Sequence, residues 1–95
     1  MNGPGLAAFL SAFDALPFGT FRGRAHGRRY VVSKSALTGG AQKLVAEELG
    51  GPDYISLNLY RLGSGARLRP CEMPAEKVAC FVRALVPEAE PEPGA

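Results

Sequence analysis

The stretch Tyr54-Ile55-Ser56-Leu57-Asn58-Leu59-Tyr60-Arg61 alternates apolar and polar side chains without a break. A period of two puts Ile55, Leu57 and Leu59 on one side of an extended chain and Tyr54, Ser56, Asn58 and Tyr60 on the other. Such a strand has one dry face and one wet face. The chain therefore needs a sheet, and something apolar to cover one side of it.

Downstream, Gly63-Ser64-Gly65 turns this strand back into residues 66–71. A four-residue loop that keeps Leu59 opposite Leu68 places Tyr60 beside Arg67 and Asn58 beside Arg69. Pro70 has no N–H to give a ladder, so this second strand belongs at an edge. A helix follows from Pro74 to about Val86. Pro74 suits its first position, Glu76 suits its positive end, and Val78, Phe81, Val82 and Leu85 form one apolar stripe.

Upstream, residues 41–49 support two readings. Ala, Gln, Lys, Leu and Glu favour a helix, with Ala41, Leu44, Val45 and Leu49 on one side and Gly50-Gly51 as its stop. Yet Gly39-Gly40 and Gly50-Gly51 also bracket the segment as two turns bracket a strand. The composition favours the helix. Before it, residues 18–24 and 28–37 flank Ala25-His26-Gly27 and read as a hairpin. With a His26-Gly27 turn, Phe21 pairs with Val32 and Gly23 with Tyr30, while Arg24 faces Arg29. Arg22, Arg24, Arg29 and Val31 then share one face and Arg28 sits at the tip. Two arginines facing each other normally destabilise a sheet, so this register asks for water, a carboxylate or a bound anion between them. Leu6, Phe9, Leu10, Phe13 and Leu16 recur at helical spacing over about Gly5–Leu16, and Pro17 ends that element.

The fold class that follows is α+β: one small, mainly antiparallel sheet of four to five strands, with N- and C-terminal helices packed on one face. Ninety-five residues fit one domain, assigned to residues 1–86. Residues 87–95, made of Pro, Glu, Ala and Gly, read as a disordered acidic tail. Twelve Gly and eight Pro leave no room for a long helix or coiled coil.

Charge excludes little by itself, because the net value is only +2. Its distribution is more informative. Residues 1–36 carry five basic groups against Asp14, a net of +4, and residues 37–95 carry six basic and eight acidic groups, a net of −2. No basic leader or long apolar run is present, so the expected location is cytoplasmic, without membrane attachment. Cys71 and Cys80 are then expected as thiols, with Cys80 the more exposed.

Three constellations could carry chemistry. The polar strand face combines Tyr54 and Tyr60, as stacking candidates, with Arg67 and Arg69, a mixture that can hold bases and phosphates; an ordinary solvated face, or one covered by residues 41–49 as a helix, is the bland alternative. The hairpin offers Arg22, Arg24, Arg28 and Arg29, with Lys34 as a further member, for a phosphate backbone; charged strands that block aggregation are the alternative there. Cys71 precedes the last helix, but the only histidine, His26, falls at the distant hairpin tip, so a thiol enzyme lacks a base. No cofactor motif, carboxylate pair or metal-ligand spacing accompanies them. The chain does not rise above a small α+β domain by motif. The reading it supports is a non-catalytic binding module that engages an anionic partner, nucleic acid or an acidic protein surface, through the arginine-rich hairpin. The alternative is a protein–protein or self-association domain with no anion-binding role.

Overall fold

The computed structural model of the protein describes residues 3–63 and 65–88. Helix α1 (Gly3–Ala15) leads into strands β1 (Gly19–Ala25) and β2 (Arg28–Ala36), then β3 (Ala41–Glu48), β4 (Tyr54–Leu62) and β5 (Gly65–Pro70). Helix α2 (Ala75–Ala84) and a two-residue strand, β6 (Val86–Pro87), complete the described chain. The six strands form one antiparallel sheet in the order β5-β4-β3-β2-β1-β6.

The hairpin forms in the register the turn demands. His26 and Gly27 both take positive φ, 52° and 75°, so the turn twists with its strands. Phe21 faces Val32, Gly23 faces Tyr30 and Arg24 faces Arg29. At the other end of the sheet Leu59 faces Leu68, Tyr60 faces Arg67 and Asn58 faces Arg69, with pairing continued to Leu62 and Gly65. Pro70 ends β5, an edge strand, where its missing N–H costs nothing.

Residues 41–49 are the main correction. The helix favoured by composition is not formed, and Ala41–Glu48 is a central strand paired to β2 on one side and β4 on the other. Helix propensities differ by only tenths of a kcal/mol per residue. Leaving two inner ladders unpaired would cost far more. Together with β6, this brings the sheet to six strands where four to five were expected.

The C-terminal end differs as well. Pro74 precedes α2 in an extended conformation, φ −64° and ψ 144°, instead of opening it. The helix stops at Ala84, where the Leu85 N–H still bonds the Phe81 carbonyl, and the chain leaves as β6 beside Gly23 and Arg24. Pro87 and Glu88, assigned to the tail from composition, pair with β1, Pro87 opposite Gly23 and the Glu88 N–H on the Arg22 carbonyl. The rest of that tail, 89–95, lies outside the described residues.

Because β5 and β6 occupy opposite edges, the chain between them crosses the dry face of the sheet. There α2 buries Val78, Ala79, Phe81 and Val82, and α1 buries Phe9 and Phe13. These meet Phe21, Tyr30, Val32, Leu44, Ala46, Ile55, Leu57 and Leu59 from the strands. Phe81 packs edge-on against Tyr30 with ring centroids 4.8 Å apart. Neither helix lies on the other face of the sheet. None of the described helices is long and apolar enough to cross a membrane.

Candidate anion-binding face of the sheet

Strand alternation and the observed registers decide what the uncovered face presents, the one on which no helix lies among the described residues. From β1 come Thr20, Arg22 and Arg24; from β2, Arg29, Val31, Ser33 and Ser35; from β3, Lys43, Val45 and Glu47. Strand β4 adds Tyr54, Ser56, Asn58 and Tyr60, and β5 adds Arg67 and Arg69. Glu88, just beyond β6, joins them through its side chain. Among the described residues the face holds six basic groups (Arg22, Arg24, Arg29, Lys43, Arg67, Arg69) against Glu47 and Glu88, a surplus of four positive charges. The whole chain carries only +2. Charge is thus segregated by face: the described residues elsewhere balance, five basic (Arg28, Lys34, Arg61, Lys77, Arg83) against five acidic (Asp14, Glu48, Asp53, Glu72, Glu76).

The basic groups gather at two ends. Arg22, Arg24 and Arg29 cluster on β1 and β2, while Arg67, Arg69 and Lys43 occupy the far side, with Lys43 beside Asn58 and Asn58 beside Arg69. At the usual ~4.8 Å between strands, β1 and β5 lie about 19 Å apart. Across the middle runs a neutral row, Thr20, Ser33, Val45 and Ser56, in which the Thr20 and Ser33 hydroxyls are 2.9 Å apart. Tyr54 and Tyr60 flank this row with 43% and 38% of their surface exposed. The Asn58 Oδ1 is buried in this face without a hydrogen-bond donor among the described residues.

The counter-charge that the Arg24–Arg29 pairing called for is Glu88. Arg29 donates from Nε to Oε2 at 2.9 Å and from Nη2 to Oε1 at 3.1 Å, a two-pronged grip. Arg24 Nε stands 3.7 Å from the same Oε2. The Glu88 N–H donates to the Arg22 carbonyl at 2.8 Å, so the residue is tied at backbone and side chain. The Arg29 hydrogen bond, then the charges of Arg29, Arg24 and Arg22, hold the Glu88 carboxyl below the usual carboxylate range. Reciprocally, Glu88 raises the pKa of Arg29.

Two expected members of the basic cluster lie on the opposite side. Arg28 is opposite Ala25 on the dry side of the hairpin and stands 3.7 Å from Glu48. Lys34 is buried, and its Nζ donates to the carbonyls of Phe13 and Leu16 at 2.8 and 2.9 Å while sitting over the Phe13 and Phe18 rings. It ties down the C-terminal end of α1. Even numbering along β2 puts both residues with Tyr30 and Val32, a signal already available in the chain. Lys43 and Glu47 were missed because their segment was taken for a helix. For Glu88 no local signal existed.

The thiols are as differently placed as expected, Cys71 half-buried and Cys80 exposed. Of the two thiols, Cys80 shares a cavity lining with His26. That cavity, of about 320 Å³, is also lined by Asp53, Lys77, Ile55 and Phe81. Two of its polar groups pair with each other, since Asp53 accepts from Lys77 Nζ at 2.9 Å, and Asp53 also accepts from Tyr30 Oη at 2.7 Å. Among the described residues no three His, Cys, Asp or Glu side chains are arranged to hold a metal ion. No family model matches this chain, and no curated protein or solved structure matches it.

Proposed function

We propose that the protein is a non-catalytic binding module that holds a single-stranded nucleic acid on the uncovered face of its sheet. The observation that carries this reading is the surplus of four positive charges on a face that also exposes Tyr54 and Tyr60. Phosphates are met by the arginines at the two ends. Bases stack on the tyrosine rings, which accept any base because each has a π-face. The arginine hairpin is then one end of the binding surface and not the whole of it. A flat sheet favours a single strand over a duplex, because unstacked bases can lie against it. An acidic protein surface would meet the arginines equally well but would leave the tyrosines without a role. Self-association through this face is disfavoured by the same charge, since two copies would oppose like with like.

The test is a fluorescence titration at low salt with single-stranded and duplex oligonucleotides of about 12 nucleotides, within the usual single-strand site sizes of roughly 4–16. Binding should be tighter for the single strand and should weaken steeply as salt is added. Absence of binding to either would end the nucleic-acid reading. Concentration-dependent oligomers by ultracentrifugation would then favour an interaction domain without an anion-binding role.

A further inference from the structure

Arg24 and Arg29 project from directly paired positions of β1 and β2, and Glu88 lies against both. The contact is not a chance encounter of long side chains. Val86 and Pro87 pair with Arg24 and Gly23, and the Glu88 N–H continues that attachment to Arg22. The chain thus delivers a carboxylate to a pair of guanidinium groups that would otherwise repel each other. A carboxylate in a two-pronged arginine grip presents the same pair of acceptor oxygens as one edge of a phosphate. With Arg22 alongside, three cations surround one anion, so the cluster keeps positive charge to spare.

We propose that Arg24 and Arg29 form an oxyanion site whose resident occupant is the chain's own Glu88, displaced by a phosphate group when an anionic partner binds. This rests on the reading of the uncovered face as a nucleic-acid surface and adds a gate to it. Tethering gives the carboxylate a high effective concentration, so it competes with every incoming phosphate without contributing to the fold's core. Glu90 and Glu92 follow in the sequence and add negative charge to the same segment. The gate sets a threshold: weakly anionic ligands fail to displace Glu88, while a chain of phosphates that also engages Arg67 and Arg69 succeeds.

The experiment is a double-mutant cycle read by oligonucleotide affinity. Glu88→Gln keeps the size and the backbone bond but removes the charge, and should tighten binding of a thymidine 12-mer by about 2–5-fold, the range an exposed ion pair can set. The same substitution in an Arg24→Ser/Arg29→Ser background should change nothing, since the groups Glu88 competes for are gone. A gain that persists in that background would reflect net charge alone and would overturn the gate. So would an affinity unchanged by Glu88→Gln in a parent that binds, a result that leaves the nucleic-acid reading standing. If neither the parent nor Glu88→Gln binds the oligonucleotide, both fall together. Inorganic phosphate, titrated while the arginine Nε–H resonances are followed by NMR, separates the two sources of the ligand. Movement of Arg29 at millimolar phosphate assigns the site to any phosphoryl group. Movement only with the 12-mer assigns it to a polymer backbone. Arg29 Nε–H unmoved by either, in a parent that binds the 12-mer, would overturn the site.

Discussion

Lys34 occupies a position on β2 where the alternation calls for an apolar side chain, and the fold uses its charge there. The ammonium closes two carbonyls at the end of α1, and two phenyl rings cover it. Lys34→Met keeps the length but removes the donor to the Leu16 carbonyl and leaves the Phe13 carbonyl with the Leu16 N–H at 3.1 Å, and should cost about 1–3 kcal/mol in urea unfolding. Desolvation pulls the pKa of Lys34 below its ordinary value. Asp53 behaves in the opposite sense, as a carboxylate whose charge the fold favours. The hydrogen bonds from Lys77 and then Tyr30 hold its pKa below the usual 3.8. A carboxyl depressed in the folded state stabilises the protein above its unfolded pKa, and that stability is lost as pH falls through the folded value. Melting temperatures measured downward from pH 5 should therefore drop below about pH 4. Asp53→Asn should be less stable at pH 5 and show a shallower drop, and an identical pH profile would remove Asp53 from the account.

Helix α2 shows how one element ties both edges of the sheet to the core. Its stripe of Val78, Phe81, Val82 and Leu85 shares one core with Leu57 and Leu59 of β4, and its largest side chain, Phe81, also packs edge-on against Tyr30 of β2. Phe81→Ala should cost roughly 3–5 kcal/mol by denaturant titration, a large fraction of the stability of a domain this small. The exit of the helix depends on Gly23. A Cβ there would stand 2.7 Å from Leu85 Cδ1 and 3.1 Å from the Val86 carbonyl, so only glycine lets the end of α2 and β6 close against β1. Gly23→Ala should destabilise by about 1–3 kcal/mol and should loosen Glu88 from Arg29. The second effect is visible as a change in the Arg29 side-chain resonance even if the domain stays folded.

For the molecule as a whole the sheet acts as a partition. Packing and three of the ion pairs lie on the helical side, where Arg61 meets Asp14, Arg28 meets Glu48 and Lys77 meets Asp53, each basic group balanced by one carboxylate. The other side keeps a surplus of cations. A polyanion should therefore bind with an affinity that falls linearly in log–log salt plots, by about one counterion per phosphate neutralised. Arg67→Ser/Arg69→Ser should reduce that slope by about two while leaving the melting curve close to the parent, because both side chains are exposed at an edge strand. A slope unchanged by that pair would confine binding to the hairpin end.

Local chemistry alone determined several of these features. The period-two pattern of Tyr54–Leu59 specified a half-dry strand, His26-Gly27 specified the hairpin and its register, and the apolar stripes specified both helices. In each case the information lies within a few residues, because side-chain alternation and turn stereochemistry are short-range. The pairing of Arg24 with Arg29, and the need for water, a carboxylate or a bound anion between them, followed from that register. Tertiary structure decided the rest. Residues 41–48 are helix formers by composition and became a strand because two neighbouring strands needed partners. Lys34 and Arg28, grouped with the basic hairpin, were turned to the helical side by the same alternation that placed Arg22, Arg24 and Arg29 opposite. Glu88 reaches Arg29 across 59 positions of sequence, after α2 has carried the chain from one edge of the sheet to the other. No local rule relates residues so far apart, because their approach is set by where the helix packs.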